Sequence, residues 1–550
     1  MSGKRSCRAA IDRRTFLRSS AAVIIGAPAL AAVPRRVRDI GSEPQLFLDD
    51  WLIESVDGVR RTLHSPDKRG LLKEEDGRDW ERGDVYHGNI VCRDNAGKFH
   101  MTYRYWWWDP SVRDLDPNIG VDRAHWFREC VAYARSDDGI HWHKPELGLL
   151  DGPDGFSRID AFPFEQPTGM SRANNLGCPI DFITDLNAHG NVADPARRFL
   201  LRVAKRADTH PFAKELESHM YYASDWPDFA NDPGWLSKLT PIPDATLSPR
   251  GFRVITGHDA GEWFMVAQDS LGNWVGRGGR EIGRYASPDL KQWTGPDRVL
   301  AVPDDEPREP ADWVEYMDMS AYRVGGPKTG FWLGLLCVFH SDRTNDQYRM
   351  PTNLKVWRKG LTECRLMMSR DAGKSWQRVG EKQVWLPHHV EENGYDRLVF
   401  ARCPTRVGDE QWFYYACWDG DHLVFNADGT TYYKDRMRTS RTALAVLRHN
   451  GYISFNAEDQ GIVSTVPLTF DGANLVLNAS PRGSVRVAVC DAEDRPLHGL
   501  SESDCIPVTT DGISVPVRWN SGATLSSLRG GPVRLKFYLD RASLYGFQFA

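Results

Sequence analysis

The sequence predicts an all-β protein, a five-bladed β-propeller over residues 40–450 followed by a C-terminal β-sandwich over residues 451–550. Three observations predict it. Short alternating strand-like runs recur along the whole chain, and helical periodicity is nearly absent. Four related turns punctuate those runs at intervals of roughly 65 to 90 residues, which signals a repeat. After about Arg448 the alternation becomes cleaner, in DGANLVLNA, GSVRVAVCDA, PVRLKFYLD and YGFQFA, with Gly, Asp and Ser at the turns.

The turns justify the blades in order. SDDGIHW runs from Ser136 to Trp142, ASDWPDF from Ala223 to Phe229, SPDLKQW from Ser287 to Trp293 and SRDAGKSW from Ser369 to Trp376. In each, an Asp carboxylate suits the turn's own amides and an aromatic ring closes the stretch; where Gly occurs it accepts a positive φ. Each follows a strand-like segment: VAYAR, HMYYA, IGRYA and RLMM. The DNAG turn within Ile90–Trp106 joins two further alternating runs. FLLRVAKR, GEWFMVAQD, FWLGLLCVFH and EQWFYYACW supply middle strands. A fifth unit, Asp396 to about Arg448, lacks the turn but keeps a strand pair. Five units fit five blades, and QLFLDDWLIES, Gln45 to Ser55, is the segment expected to close the ring.

The N-terminus carries an address. Arg13-Arg14-Thr15-Phe16-Leu17-Arg18 precedes a mildly apolar run, Ala21 to Leu30, and Ala29-Leu30-Ala31 offers a small-residue cleavage site. Residues 1–33 therefore read as a twin-arginine signal peptide, with the twin-arginine export machinery as partner and a periplasmic or secreted mature protein. The run is too short for a membrane span.

A net charge of -5 and a sequence pI near 6.4 offer no basic surface for nucleic acid. The 20 Trp, 18 Tyr and 23 Phe fill strands and cores, and a minority are free to make platforms for sugar rings. Beyond Cys7 the nine cysteines show no CxxC and no closely spaced framework. Most sit in apolar runs and read as buried small hydrophobes, with a Cys490–Cys505 bridge the one pairing to test.

Some motifs fail on inspection. GRGGREIG, Gly276 to Gly283, lacks the GxGxxG spacing of a dinucleotide loop. His141-x-His143 and His388-His389 have no Cys or His partner at zinc spacing, so no metal ligands are assigned. No motif demands a cofactor; a structural calcium ion is compatible, because oxygen ligands leave no sharp pattern. TYRYWWWDP, Tyr103 to Pro110, places three tryptophans in succession. Alternating strand faces cannot send all three into one core, so Trp107 or Trp108 is expected to line a sugar subsite.

Three stretches carry a resemblance. LFLDDWLIESVDGVRRTLHSPDK near the start, WDGDH at Trp418 to His422 and GGPVRLKFYLDRASLYGFQF at the end resemble exported bacterial proteins similar to glycoside hydrolase family 32 and its relatives. The likeness covers nearly the whole mature chain and implies a five-bladed propeller followed by a sandwich. It implies less about chemistry, because related five-bladed families hydrolyse, transfer or phosphorolyse different sugars. The family 32 motifs Trp-Met-Asn-Asp-Pro-Asn-Gly, Arg-Asp-Pro and Glu-Cys are not intact here. RGDVYHGNIV, ITGHDAGEW and VEYMDMSAY stand in the corresponding places, each with an acid.

A glycosidase needs two carboxyls across the scissile bond, and their separation decides retention or inversion. In the relatives these acids sit near the starts of the innermost strands. The resemblance thus implies Asp84 as nucleophile or base, Asp259 as transition-state stabiliser and Glu315 as acid, with His258 beside Asp259 on a sugar hydroxyl. Trp313, Tyr316 and Met317 give Glu315 the apolar company that raises an acid's pKa. Asp318 is almost as good a candidate, and Asp181 and Asp396, which open the second and fifth units, remain in competition. Arg402 and His422 complete the expected substrate contacts from the fifth unit. Each acid is equally compatible with an ordinary turn cap. The expected activity is cleavage of glycosidic bonds in an oligo- or polysaccharide. A sialidase-like enzyme and a non-catalytic carbohydrate-binding propeller are the alternatives.

Overall fold

The computed structural model describes residues 37–74, 85–108, 127–145, 180–185, 194–206, 215–228, 232, 235–244, 252–253, 267–268, 274–278, 282–287, 291–292, 294–309, 311–326, 330–342, 359–388, 398–418 and 440–550. The expected signal peptide lies outside them. Among the described residues the only helical pieces are short 3-10 turns, at Pro195–Arg197, Trp235–Lys238 and Leu525–Leu528. No helix there is long and apolar enough to cross a membrane.

Strands β1 (Arg38–Asp39), β2 (Gln45–Leu46), β3 (Ile53–Asp57), β4 (Arg60–Leu63), β5 (Asp67–Leu71) and β6 (Lys73–Glu74) come first. Five antiparallel sheets follow in chain order. The first orders β7 (Val85–Arg93), β8 (Phe99–Trp108) and β9 (Phe127–Ser136), while β10 (His141–Trp142) pairs with β6. The second orders β11 (Ile180–Asp185), β12 (Phe199–Arg206), β13 (Glu215–Ala223) and β14 (Thr240–Ile242), with β15 (Phe252–Arg253) also on β13. The third orders β16 (Ala267–Gln268), β17 (Trp274–Gly278), β18 (Ile282–Ser287) and β19 (Thr294–Leu300). The fourth orders β20 (Arg308–Glu309), β21 (Asp312–Val324), β22 (Phe331–Asp342), β23 (Lys359–Ser369) and β24 (Gln377–Arg378). The fifth holds β25 (Leu398–Ala401), β26 (Thr405–Val407), β27 (Glu410–Trp418) and β28 (Ser440–Arg448), and its outer strand is β5.

The predicted turns explain the local folding. In SRDAGKSW the Gly373 amide donates to Ser369 Oγ at 2.9 Å and the Ser375 amide to Asp371 Oδ1 at 2.9 Å, while Trp376 Nε1 donates to the Gly373 carbonyl at 3.2 Å. SDDGIHW repeats the wiring: Gly139 to Ser136 Oγ at 2.8 Å, His141 to Asp138 Oδ1 at 2.8 Å and Trp142 Nε1 to the Gly139 carbonyl at 3.1 Å. Both glycines have positive φ, +77° and +76°. ASDWPDF is wired differently. Asp225 Oδ1 accepts the Asn95 amide of the DNAG turn at 2.9 Å, so this turn joins the second sheet to the first. Within SPDLKQW, residues 288–290 and 293 lie outside the described residues. The GRGGREIG stretch is a hairpin segment, with Gly276 opposite Tyr285 and Gly278 opposite Gly283.

Apolar clusters join the first sheet to the fifth, the third to the fourth and the fourth to the fifth. Leu72, Phe99, Met101, Tyr103 and Trp142 share a core with Tyr414, Leu444 and Val446 of the fifth sheet. Ile282 of the third packs with Val314, Tyr316, Leu336 and Met367 of the fourth. Cys337 of the fourth packs with Ala416 and Trp418 of the fifth.

One expectation is corrected here. Gln45–Ser55 does not close the fifth sheet; Asp67–Leu71 does, with Asp67 opposite Val446 and Leu71 opposite Ala443. The earlier strands belong to the C-terminal sheet, where β2 pairs β33 (Arg534–Phe549) and β3 and β4 pair β29 (Ile453–Thr465). The reason is burial: Leu46, Phe47, Leu48 and Leu52 join Phe455, Phe537 and Phe547 in one apolar cluster.

The C-terminal sheet has seven strands, in the order β3, β29, β33, β31 (Leu475–Cys490), β32 (Gly512–Pro516), with β2 and β4 off that path; β30 (Leu468–Thr469) pairs β1. It is one sheet whose long strands all shift register at one level. Breaks fall between Ala457 and Gln460 and between Pro481 and Ser484, both facing Asp540 to Ala542, where Arg541 has φ +44°. A row of bulges lets long strands bend and twist. Cys490 and Cys505, read from the sequence as a pairing to test, are not bridged: both thiols are free and buried, and Cys505 accepts the Val487 amide at 3.2 Å.

Candidate functional site

Four strands from four sheets bring their C-terminal ends together. Cys92 of β7 lies against Asp185 of β11 and near Cys403, two residues past β25; burial first, then the Asp185 carboxylate, pushes its thiol pKa well up. Ser320 of β21 sits 3.2 Å from Cys403 Sγ. Thr405 Oγ1 donates to the Val91 carbonyl at 2.9 Å. Asp185 is held in turn by Arg198 Nη2 at 2.8 Å, and the same guanidinium reaches the Arg93 carbonyl. Glu315, Phe339 and Thr362 form one cross-strand row of the fourth sheet, and the Val399 amide of β25 donates to Thr362 Oγ1 at 2.7 Å. Strand β25 therefore packs against β22 and β23 and runs in the same direction as β21. At roughly 3.3 Å per residue, the starts of these strands stand about 13 Å or more from the shared thiol level.

The predicted residues fall unevenly on this frame. Asp84, His258, Asp259, Asp396 and His422 lie outside the described residues. Trp107 and Trp108 are on β8, opposite Arg128 and Phe127 of β9. Asp181 is on β11 where the register shifts between Ile180 and Phe182. Asp318 is on β21, opposite Cys337, directly after a shift at Met317. Glu315 is half-buried, three positions into β21 from Asp312. Arg402 is buried and follows β25 directly. The structure thus sets Glu315 and Asp318 on one strand, Arg402 beside the neighbouring one and Asp181 on a third.

Sequence reasoning missed the bulges. Strand β7 shifts register between Tyr86 and Ile90, β11 at Asp181 and β21 at Met317. β7 and β11 are the first strands of their sheets and β21 is the second of its own, and a bulge re-aims the following side chains. No residue type announces a bulge, so the sequence held no signal for them.

It also missed a charge network in the fourth sheet. His340 Nδ1 lies 2.9 Å from Asp312 Oδ1, and its Nε2 lies 3.2 Å from Glu363 Oε1. Arg365 bridges Glu363 at 2.7 Å and Glu306 at 2.8 Å. Arg378 reaches Glu306 at 2.6 Å and Asp305 at 2.8 Å. The Glu306 side chain is fully buried. Burial works against a charge on His340, and the Glu363 and Asp312 carboxylates more than offset it, so its pKa stands above the ordinary value. The signal was present in KGLTECRLMMS, where Glu363 and Arg365 interrupt an apolar strand on one face.

Val314 and Tyr316, on either side of Glu315, are buried against the third sheet. Alternation turns Glu315 to the opposite face, that of Met317, Cys337 and Trp418, where the fourth sheet meets the fifth. Among the described residues no group of three or more His, Cys, Asp or Glu is arranged to hold a metal ion.

No protein-family profile matches this chain, and no curated protein matches it. Solved structures do. A glycosyl hydrolase from Bacteroides ovatus is 14% identical with a TM-score of 0.36, over 74% of this chain and 97% of that one. A family 43 arabinoxylan arabinofuranohydrolase from Bacillus subtilis is 10% identical at 0.30, over 85% and 96%. An exo-inulinase from Aspergillus awamori is 10% identical at 0.31, over 86% and 98%. These three structures carry the names of sugar-cleaving enzymes, at scores too low to carry an argument about the activity of this chain.

Proposed function

We propose that the chain is an exported glycoside hydrolase whose five sheets stand as blades round one axis. The observation that carries this reading is the meeting of β7, β11, β21 and the segment after β25, from four separate sheets, at one buried level; in the sequence the predicted acids precede or open these strands. In such a frame Glu315 is the acid that protonates the leaving oxygen, and Asp84 is the nucleophile or base. Asp259 stabilises the transition state beside His258. Asp181, Asp318, Asp396, Arg402 and His422 hold sugar hydroxyls, and Trp107 or Trp108 forms an aromatic wall. The substrate is an oligo- or polysaccharide met in the periplasm or outside the cell.

The test is hydrolysis of a broad panel of glycans and aryl glycosides by the mature chain, beside Asp84→Asn and Glu315→Gln. Turnover by the parent, with a loss of roughly 10³-fold in both variants, supports the pair. Turnover kept by one variant moves that role to Asp181, Asp318 or Asp396. Glycan binding without turnover across the panel replaces the hydrolase with a carbohydrate-binding propeller.

A further inference from the structure

We infer that His340 is a positioning residue for Glu315: as an imidazolium bridging Asp312 and Glu363 it fixes the register of the bulged start of β21. The inference rests on the hydrolase reading above, which gives Glu315 its role.

Three tethers hold the start of β21 on one face. Asp312, its first residue, is 2.9 Å from His340 Nδ1. The Val314 carbonyl accepts Arg308 Nη1 at 2.9 Å. The Tyr316 hydroxyl donates to Glu306 Oε1 at 3.4 Å. Residues 312, 314 and 316 are thereby tied down, and Glu315 between them is presented to the other face.

The register shift comes immediately after, at Met317. A strand that carries a bulge can redistribute it, and a slip of one residue moves every side chain to the opposite face. Such a slip would turn Glu315 towards the third sheet. The tethers are what oppose it.

Of the three, only the His340 bridge depends on a group that titrates near neutrality. Nδ1 hydrogen-bonds Asp312 and Nε2 lies within ion-pair reach of Glu363 without hydrogen-bond alignment, so only the charged imidazolium pairs electrostatically with both carboxylates. The charged groups facing this region are Arg308 of β20, Asp305 and Glu306 before it, Asp312 of β21, Glu363 and Arg365 of β23 and Arg378 of β24. The third sheet offers apolar contacts, from Ile282, Val299, Leu300 and Val302. None of these neighbours can replace the lost cation at Asp312 when the imidazolium discharges.

The test uses the full mature chain, His340→Gln and the control His141→Gln, which removes an exposed His–Asp pair in the first sheet. Each is assayed across pH with the aryl glycoside that the parent turns over best. The expected result is a fall in kcat of about tenfold or more in H340Q with KM little changed, since a misplacement of about 1 Å costs on the order of 10²-fold. The parent's decline on the alkaline side should be missing from H340Q and kept in H141Q. Thermal melts give a readout that needs no substrate. The gap in Tm between parent and H340Q should be full below about pH 6.5 and close as pH rises through the raised folded value. An unchanged kcat and alkaline limb in H340Q overturns the inference, as does a Tm gap that does not vary with pH. A parent inert on every glycoside overturns it too, by removing the reaction, and the melts then separate that failure from an absent bridge.

Discussion

The guanidinium of Arg370 grips both carboxylate oxygens of Asp49, Nε to Oδ2 and Nη2 to Oδ1, each at 2.7 Å. Arg370 is the variable second residue of SRDAGKSW, so a turn that shapes one sheet also fastens the N-terminal segment to it. The same guanidinium lies 4.3 Å from the Trp51 ring centroid, and Arg38 stacks nearby at 5.0 Å. Burial disfavours the Asp49 charge, and Arg370 outweighs it, so the carboxyl titrates below its ordinary range. Arg370→Ala should cost about 2 kcal/mol in urea denaturation at neutral pH. The depressed value means that this stability is present above about pH 3.9 and lost as pH falls through the folded value, so parent and variant should converge in acid. Arg370→Lys should recover only part of the loss, because an ammonium cannot make the paired grip.

The two matching turns should differ sharply in their tolerance of alanine. A Cβ on Gly139 would lie 2.6 Å from the Tyr414 hydroxyl and 2.9 Å from the Trp412 ring. On Gly373 the nearest atom would be 3.5 Å away, on Trp376. Positive φ alone costs an L-residue about 1 kcal/mol, and overpacking adds a further 1–3 kcal/mol. Gly373→Ala should therefore lose about 1 kcal/mol and Gly139→Ala about 3 kcal/mol by chemical denaturation. Equal losses would mean that the first and fifth sheets do not meet at this turn.

Glu306 is the hub of the fourth sheet's ion pairs, with Arg365 at 2.8 Å and Arg378 at 2.6 Å on one oxygen. Glu306→Gln should destabilise by about 3 kcal/mol, because it leaves two guanidinium groups short of a buried counter-charge. Hydrogen exchange should reveal the loss first in β21, β23 and β24. Arg378 keeps Asp305 and Arg365 keeps Glu363, so each guanidinium retains one carboxylate partner.

Cysteine chemistry gives a simple check. Cys92, Cys490 and Cys505 are free thiols and all three are buried. Each should alkylate only after unfolding. Protection of Cys490 and Cys505 from alkylation in the unfolded, unreduced chain would restore the bridge.

What was legible was what lies within a few neighbouring residues. SRDAGKSW and SDDGIHW announced their hydrogen bonds, because Ser, Asp, Gly and Trp each contribute locally. Alternation announced the strands. Partner choice over long separations was not legible: QLFLDDWLIES and DKRGL both look like edge strands, and only the apolar surface waiting at each sheet decides which goes where. The same holds for the site. Glu315 and Asp318 could be picked out as acids at the start of a strand, but not the bulge between them. His340 drew no notice because its two carboxylate partners come from β21 and β23, on either side of its own strand.

The pairing of β5 with β28, and of β2 to β4 with the C-terminal sheet, has a consequence for biosynthesis. Residues before Leu71 leave the ribosome first, and their partners, beyond Ser440, leave nearly last. At about 5–20 residues per second the early strands wait on the order of half a minute or more, with unsatisfied edges and exposed leucines. The fifth sheet cannot be completed before Arg448 emerges, nor the C-terminal sheet before Phe549 does. Strands β2 to β5 thus stay unpaired until strands beyond Ser440 have been made, and a nascent-chain chaperone has them as its natural client.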